Sequence, residues 1–228
     1  KNKKKFWQYM MDKEFQKRAI SSILLIPLSF FFIIKGSFFF VFFLTICFLV
    51  SSYEWYLMSK KKNYHIIGYI FLLISFLSAH QLRNVSGEES LLIFLFVILI
   101  CISTDIGGYV AGKLFKGPKL TKISPKKTFS GMIGGYFLSI IIINIYLINL
   151  DLLNFESREL TLRSFIVVIL ISSISQIGDI IISYFKRLSK VKDTGKIIPG
   201  HGGLLDRIDG MIFAFPFSYS ILLLQHYF

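Results

Sequence analysis

The chain has 228 residues, of which 54% are hydrophobic and 17% are aromatic. This apolar share exceeds that of a typical soluble domain and is concentrated in long runs, so the composition indicates an integral membrane protein. The formal net charge of +13 would also suit a nucleic-acid-binding protein. However, the basic residues cluster between the apolar runs, which is typical of loops that face anionic lipid, so we expect no nucleic-acid partner.

Seven apolar runs approach the roughly 20 residues needed to cross the hydrocarbon core of a membrane. We therefore predict an all-α, polytopic membrane protein with about seven transmembrane helices, organised as one domain over residues 19–228. Residues 1–18 are polar with interleaved aromatic side chains, so we expect a cytoplasmic or interfacial segment there. The predicted spans are residues 19–34, 37–58, 65–82, 90–112, 130–150, 164–185 and 210–228. The first is the weakest because it has only sixteen residues.

The distribution of lysine and arginine predicts the orientation of the chain. If the N-terminus is cytoplasmic and all seven runs cross, 22 of the 26 basic residues lie in cytoplasmic segments. This positive-inside bias supports both the seven-span count and the orientation. Both long polar connections, residues 113–129 and 186–209, then face the cytoplasm, where nucleotides and divalent cations are available.

The fourth span ends in a polar interruption that includes Asp105. Residues 107–113 match the spacing GxxxxGK, but Leu114 stands where a P-loop needs Ser or Thr, and no strand precedes it. We therefore reject a P-loop. Close helix packing is the expected role of the GxxxG pairs in this span and the next. These pairs are Gly108 with Gly112, and Gly131 with Gly135.

The connection after the fourth span carries six lysines, and Pro118 and Pro125 argue against a continuous helix there. One interpretation is an ordinary basic loop that docks on lipid headgroups. A more specific one concerns its last residues, because two cations and two hydroxyls directly before a span could hold phosphate oxygens. These candidates are Ser124, Lys126, Lys127 and Thr128.

Polar residues recur along the sixth span at offsets of 3, 4, 7, 11 and 14 from the first, which places them on one helix face. They are Ser172, Ser175, Gln176, Asp179, Ser183 and Lys186. The alternative is that the serines merely allow close helix packing. An ionised Asp in hydrocarbon costs at least ~2.5 kcal/mol, so we expect Asp179 to face a cavity and meet a cation. Asp105 lies at a comparable depth, and the two acids could share a metal ion.

The connection KDTGKIIPGHGGLLDRIDG, residues 192–210, contains five glycines and three aspartates. The glycines would let backbone amides approach an anion closely. Countercharge would come from Lys192, Lys196 and Arg207. Asp206 and Asp209 would share one face if the seventh span begins there as a helix, although Asp209 could instead be only the N-cap. His201 fits either a turn or a contact with a phosphate or a base.

Together these residues suit phosphoryl or nucleotidyl transfer. Carboxylates bind Mg²⁺, the metal bridges phosphate oxygens, and Lys and Arg offset charge developing on the leaving group. No Cys-His or Ser-His-Asp constellation is evident in the sequence. A phosphate nucleophile would need no strong base, because its second pKa is about 6.

The run from Ser183 to Gly210 resembles the signature of the phosphatidate cytidylyltransferase family, also called CDP-diacylglycerol synthases. The blocks STDIGGYVAGKLF and ISPKKTFSGMIGG are similar to two further family blocks, so the resemblance covers roughly residues 98–213. Three departures are Ser130 for a usual Glu, Gly108 for a usual Ala and Lys113 for a usual Arg. The matching signature positions are Ser183, Lys186, Arg187, Lys192, Asp193, Gly195, Pro199, His201, Gly202, Gly203, Asp206, Arg207 and Asp209.

The resemblance implies that CTP and phosphatidic acid give CDP-diacylglycerol and pyrophosphate, with Mg²⁺ required and a monovalent cation such as K⁺ beside it. It also implies a homodimer. From the positive-inside bias we expect the site to face the cytoplasm, in the lipid of a bacterial inner membrane. The resemblance places Asp179, Asp206 and Asp209 near the metal, and the depth of Asp105 adds that residue. The predicted catalytic residues are Asp179, Lys192, Asp193, His201, Asp206, Arg207 and Asp209. The predicted substrate-binding residues are Ser124, Lys126, Lys127, Thr128, Ser183, Lys186, Arg187, Gly202 and Gly203.

Two other functions are alternatives. A CTP-dependent lipid-alcohol kinase of the polyprenol type would need a base for its hydroxyl nucleophile and would release CDP instead of pyrophosphate. A cation channel or transporter would use Asp105 and Asp179 as its ion path. Transporters place their polar sites near the bilayer midplane, whereas the polar residues here gather toward one face. The signature between Lys192 and Asp209 favours the cytidylyltransferase.

Overall fold

The computed structural model describes the backbone of residues 2–84, 89–152 and 161–227, and the side chains of residues 16–84, 89–150 and 161–224. Within these ranges the fold is helical without a strand, and two isolated backbone bridges close turns in the polar connections. The helices are α1 (Asn2–Lys35), α2 (Ser37–Ser59), α3 (His65–Asn84), α4 (Ser90–Phe115), α5 (Phe129–Leu152), α6 (Leu162–Leu188), α7 (Leu205–Ile208) and α8 (Met211–Tyr227).

Six of the described helices, α1 to α6, are long and apolar enough to cross a membrane. Helix α8 is shorter, with 17 residues, and at 1.5 Å per residue it extends about 25 Å, close to the roughly 30 Å of hydrocarbon. Large apolar side chains such as Ile23 and Phe38 are exposed on α1 and α2, as expected for a surface that lipid covers. The chain is a multi-pass membrane protein, and the prediction of about seven membrane helices is confirmed.

The first span is longer than the sequence analysis predicted. Helix α1 continues without interruption from the N-terminal segment, and its apolar stretch Gln16–Lys35 has 20 residues. The difference arises because the polar segment before it is also helical and hides the boundary in the sequence. The side chains before Gln16 lie outside the described residues, so the interfacial role of residues 1–18 stays a prediction.

The seventh span begins at Met211, one residue after the predicted start. A break at Asp209 and Gly210 separates α7 from α8, which starts at Met211. No single helix therefore runs through Asp206 and Asp209, so the condition under which they would share a face is not met. The reason is local packing, because a Cβ at Gly210 would lie only 2.9 Å from the backbone oxygen of Ser175, and glycine is a poor residue for continuing a helix.

The chain forms two compact units. The first comprises Lys1–Leu72 with Ser189–Ile208, and the second comprises Leu73–Leu188 with Asp209–Phe228. In the described part of the first unit, α1 packs on α2, and α2 also contacts α7. In that of the second, α4 and α5 make the most extensive contact, and α6 packs against α4, α5 and α8. The single domain over residues 19–228 stays a prediction.

Glycines allow α4 and α5 to pack closely in the second unit. A Cβ at Gly131 would lie 2.7 Å from the backbone oxygen of Gly108, and a Cβ at Gly107 would lie 2.8 Å from Leu138 Cβ. Side chains at these positions would separate the two helices, which is the reason that close membrane-helix contacts use small residues. The packing role predicted for the GxxxG pairs is confirmed.

Candidate active site

An ion pair between Lys127 and Asp179 joins the α4–α5 connection to α6. The Lys127 Nζ also donates a hydrogen bond to the backbone oxygen of Gln176 at 3.3 Å, one turn earlier in α6. One turn later, Ser183 Oγ donates to Asp179 Oδ1 at 3.4 Å. Asp179 thus meets a cation, as predicted, and that it faces a cavity stays a prediction. The two side chains of the pair keep 23% and 27% of their surface exposed, so a ligand can reach them.

Local hydrogen bonds shape the connection that carries Lys127. The backbone N–H of Lys127 donates to the oxygen of Ser124 at 3.0 Å, and the N–H of Leu120 donates to the oxygen of Lys127 at 2.8 Å. Thr128 Oγ1 accepts from the N–H of Gly131 at 3.1 Å and thereby caps the N-terminus of α5. The turn and the cap together position Lys127 so that its side chain contacts α6. Thr128 thus has a structural role, and its part in phosphate binding stays a prediction.

Ser130, the residue at the position of the usual Glu, stabilises the same connection. Its Oγ donates to the backbone oxygen of Lys116 at 3.1 Å and lies 3.0 Å from Thr128 Oγ1. Ser130 therefore ties the start of α5 to the residue that follows α4.

Asp209 lies in the break before α8 and is only 8% exposed. Burial raises the pKa of Asp209, and the Asp179 and Asp105 carboxylates raise it further, whereas Lys186 and Lys127 act in the opposite direction. Acids from α4, α6 and the break thus influence one another electrostatically within the second unit. This grouping of Asp105, Asp179 and Asp209 agrees with the sequence analysis.

Close packing between α6 and the start of α8 places Asp209. A Cβ at Gly178 would lie 2.6 Å from the ring of Phe213 and 3.0 Å from the backbone oxygen of Asp209. Any larger residue at Gly178 would push this segment away. Since Gly178 directly precedes Asp179, the contact holds Asp209 beside the turn of α6 that carries Asp179.

These acids offer only oxygen ligands, which suits Mg²⁺. Within residues 16–84, 89–150 and 161–224, no three His, Cys, Asp or Glu side chains are grouped as a preformed metal site. Mg²⁺ usually takes one or two carboxylates together with substrate phosphates and water, so Asp179 and Asp209 fit its ligand chemistry. Metal binding by the predicted set, Asp105, Asp179, Asp206 and Asp209, stays a prediction.

In the first unit, two carboxylates organise the glycine-rich part of the signature, residues 194–206. Asp206 Oδ2 accepts from the N–H of Thr194 at 2.8 Å, the Oγ1 of Thr194 at 3.1 Å and the N–H of Gly203 at 3.0 Å. Glu54 on α2 shares the same hydroxyl proton, since its Oε2 lies 2.9 Å from Thr194 Oγ1. The sequence analysis missed Glu54, although an acid inside the apolar second span was a signal that could have found it.

His201 lies against α1 in the first unit. Its Nδ1 is 2.9 Å from Ser21 Oγ, and its Nε2 is 3.4 Å from Ser22 Oγ. Burial lowers the pKa of His201, and the positive charges of Arg207 and Arg18 lower it further. The neutral imidazole is therefore favoured at neutral pH, and the ring bridges two serines. Arg207 also donates from Nη2 to the backbone oxygen of His201 at 2.9 Å.

The remaining predicted site residues differ in exposure. Lys186 is buried in the second unit. Gly202 has a φ of 88°, in the left-handed region that glycine adopts readily. The exposed charged members of the predicted sets are Asp105, Lys126, Arg187, Lys192, Asp193 and Arg207.

Comparisons with known proteins agree with the resemblance read from the sequence. Residues 65–225 match the model of the cytidylyltransferase family. A Rickettsia felis protein named phosphatidate cytidylyltransferase is 35% identical over 222 residues, covering 91% of this chain and 92% of the relative. Proteins of the same name from Rickettsia prowazekii and Staphylococcus aureus are each 37% identical, over 179 and 186 residues. The first of these alignments covers 74% of each chain, and the second covers 78% of this chain and 66% of the relative.

Proposed function

The chain belongs to the cytidylyltransferase family, and we propose that it transfers CMP from CTP to phosphatidic acid, giving CDP-diacylglycerol and pyrophosphate. The observation that carries this proposal is the ion pair between Lys127 and Asp179. It joins the α4–α5 connection to α6, and both segments carry residues predicted to take part in phosphate binding. Both side chains of the pair remain accessible. The name of the relatives supplies the acceptor, phosphatidate.

In the proposed reaction, a phosphate oxygen of phosphatidic acid attacks the α-phosphorus of CTP. A new P–O bond forms, the bond from the α-phosphorus to the oxygen bridging to the β-phosphorus breaks, and pyrophosphate leaves with the electron pair. The nucleophile is largely a dianion at neutral pH, because the second pKa of a phosphate monoester is about 6. The protein therefore has to position two anions and offset their charge rather than remove a proton.

Lysines near Asp179 are suited to that task. Lys127 is held on α6 by Asp179 and Gln176, so its ammonium is already oriented before a triphosphate arrives. Lys186, about two turns after Asp179 in α6, acts to lower the pKa of Asp209 and so places a second positive charge in the same cluster. Phosphate binding by the other predicted cations, Lys126, Arg187, Lys192 and Arg207, rests on the sequence signature.

Asp179 and Asp209 are the residues we propose to hold Mg²⁺, with Asp105 acting directly or through water. When bound, the metal would bridge phosphate oxygens and offset negative charge on the leaving pyrophosphate. The burial of Asp209 and its repulsion by the Asp179 and Asp105 carboxylates support this assignment, because a cation would relieve that repulsion. The metal-binding role of Asp206 and the adjacent monovalent cation rest on the family resemblance alone.

We propose that the site faces the cytoplasm of a bacterial inner membrane and that phosphatidic acid stays in the leaflet. The distribution of basic residues supports this orientation, with 22 of 26 on one side of the predicted topology. The lysines of the α4–α5 connection are exposed apart from Lys127, and each basic residue near an anionic leaflet contributes about 1 kcal/mol of attraction. The homodimer is a further proposal from the resemblance.

The test is incubation of the purified full chain with CTP, Mg²⁺ and phosphatidic acid, followed by measurement of pyrophosphate and of the liponucleotide by mass spectrometry. We expect both products in equal amounts and neither when diacylglycerol or a polyprenol replaces phosphatidic acid. Release of CDP with a phosphorylated lipid alcohol would contradict the proposal. So would the absence of a CTP-dependent product.

A further inference from the structure

Glu54 is a fully buried carboxylate, with 0% of its surface exposed, and it lies outside the predicted sets of site residues. Three hydrogen bonds converge on it. Its Oε2 accepts from Thr194 Oγ1 at 2.9 Å and from the N–H of Leu205 at 2.8 Å, and its Oε1 accepts from the N–H of Leu204 at 2.9 Å. A buried charge is tolerated only when it is satisfied in this way.

The glycines of the signature fit closely around this side chain. A Cβ at Gly195 would lie 2.6 Å from Glu54 Oε1, and a Cβ at Gly203 would lie 2.5 Å from Glu54 Oε2. No side chain can be accommodated at such distances. The sequence analysis expected these glycines to bring backbone amides close to an anion, and the anion that the loop encloses here is the protein's own carboxylate.

The contacts link Glu54 to a predicted site residue. Thr194 Oγ1 lies 2.9 Å from Glu54 Oε2 and 3.1 Å from Asp206 Oδ2. The N–H of Thr194 and the N–H of Gly203 also donate to the Asp206 oxygen. Glu54 therefore fixes the two ends of the loop, at Thr194 and at Leu204, and through Thr194 it fixes the orientation of Asp206.

We propose that Glu54 is a positioning residue that holds residues 194–206 in their binding conformation before CTP arrives. The inference rests on the proposed function, in which the signature loop takes part in binding CTP. Glu54 does not have to touch the substrate. It acts by removing the conformational freedom that the glycine-rich loop would otherwise lose when the nucleotide binds.

The substitution Glu54→Gln tests this role, because it keeps the length of the side chain but replaces one acceptor oxygen with an NH₂ group that faces N–H donors. CTP would then have to order the loop itself. We expect the KM for CTP to rise about tenfold while kcat changes less than about threefold. This pattern is expected when a substitution weakens the binding of the ground state and of the transition state equally. A merely structural role would reduce the folded fraction, which lowers the apparent kcat and leaves KM unchanged.

Hydrogen exchange measured by mass spectrometry reports directly on the contacts. In the Glu54→Gln protein, the amides of Leu204 and Leu205 should exchange about ten- to a hundredfold faster, since they lose a bond to a charged acceptor. Peptides from α4 and α5 should be unaffected. The matched control is Glu89→Gln, because Glu89 is an exposed acid outside the signature loop, and this variant should behave as the wild type does in both assays.

If Glu54→Gln protein does not fold, Thr194→Val replaces it in the test. This substitution removes one of the three donors to Glu54 together with the hydroxyl contact to Asp206, and it should still accelerate exchange at Leu204 and raise the KM for CTP. Unchanged exchange in the folded variant, or faster exchange with an unchanged KM, overturns the positioning role. Failure of the wild type to use CTP would instead overturn the proposed function, and the exchange result would still report on the loop.

Discussion

The substitution Asp179→Asn separates the stability of the site from its chemistry. It preserves the shape of the side chain and removes the charge that pairs with Lys127. The pair is 23% and 27% exposed, so solvent screens it, and we assign it about 1 kcal/mol, at the upper end for exposed ion pairs. For a chain of this size, that loss lowers Tm by about 2–4 °C.

Activity should fall much further than stability. Removing a preorganised charged group from an active site where charge develops in the transition state typically lowers kcat at least about 100-fold, or by about 2.7 kcal/mol. A loss of 1 kcal/mol in stability cannot produce this effect at a temperature well below Tm, because nearly all of the protein remains folded. We therefore expect a folded variant with near-normal Tm and little turnover.

The assay combines thermal unfolding of the purified variant with CTP-dependent formation of the liponucleotide at saturating Mg²⁺. Glu89→Gln, which removes an exposed acid outside the predicted site, serves as the charge-matched control and should leave turnover unchanged. Full turnover by Asp179→Asn would refute the role of this carboxylate. A loss of activity that simply follows the unfolded fraction would refute it equally.

Three further predictions concern the surroundings of the site. Gly178→Ala should destabilise the protein by about 1–3 kcal/mol through overpacking. It should also reduce turnover by displacing Asp209, since a Cβ at Gly178 would lie 3.0 Å from the Asp209 backbone oxygen. A Tm equal to that of the wild type would contradict this prediction. Ser130→Ala should cost about 1 kcal/mol, because it removes the hydrogen bond to the Lys116 oxygen, and thermal unfolding that matches the wild type would show that bond to be dispensable. The lowered pKa of His201 means that the unfolded state binds more protons than the folded state, so its contribution to stability is present above the unfolded pKa of about 6.5 and is lost as pH falls below it. Thermal unfolding at pH 7.5 and 5.5 should therefore show a smaller acid-induced loss in His201→Asn than in the wild type, and equal losses would contradict the assignment.

The membrane helices could be predicted from sequence because each depends on its own apolar run. Their ends could not be placed as well, since the polar residues before Gln16 continue α1 as a helix and composition alone does not mark that boundary. The break before α8 depends on contact between Gly210 and Ser175 of α6. Such a contact is invisible in a local pattern.

In the candidate site too, features that depend on local sequence could be predicted, whereas contacts between residues far apart in the chain could not. The cost of an unpaired Asp in hydrocarbon predicted that Asp179 would meet a cation, but it could not select Lys127 from the six lysines of the connection. Glu54 was missed because its hydrogen-bond partners lie 140 to 151 residues further along the chain. For the same reason, the glycines near it were interpreted as approaching a ligand.

The fate of the phosphorus atoms of CTP tests the central claim most directly. Purified protein is incubated with phosphatidic acid, Mg²⁺ and CTP labelled in separate reactions on the α-phosphorus or the γ-phosphorus. The account predicts that the α label enters the lipid and the γ label appears in pyrophosphate. Entry of the γ label into lipid, with the α label left in CDP, would contradict it.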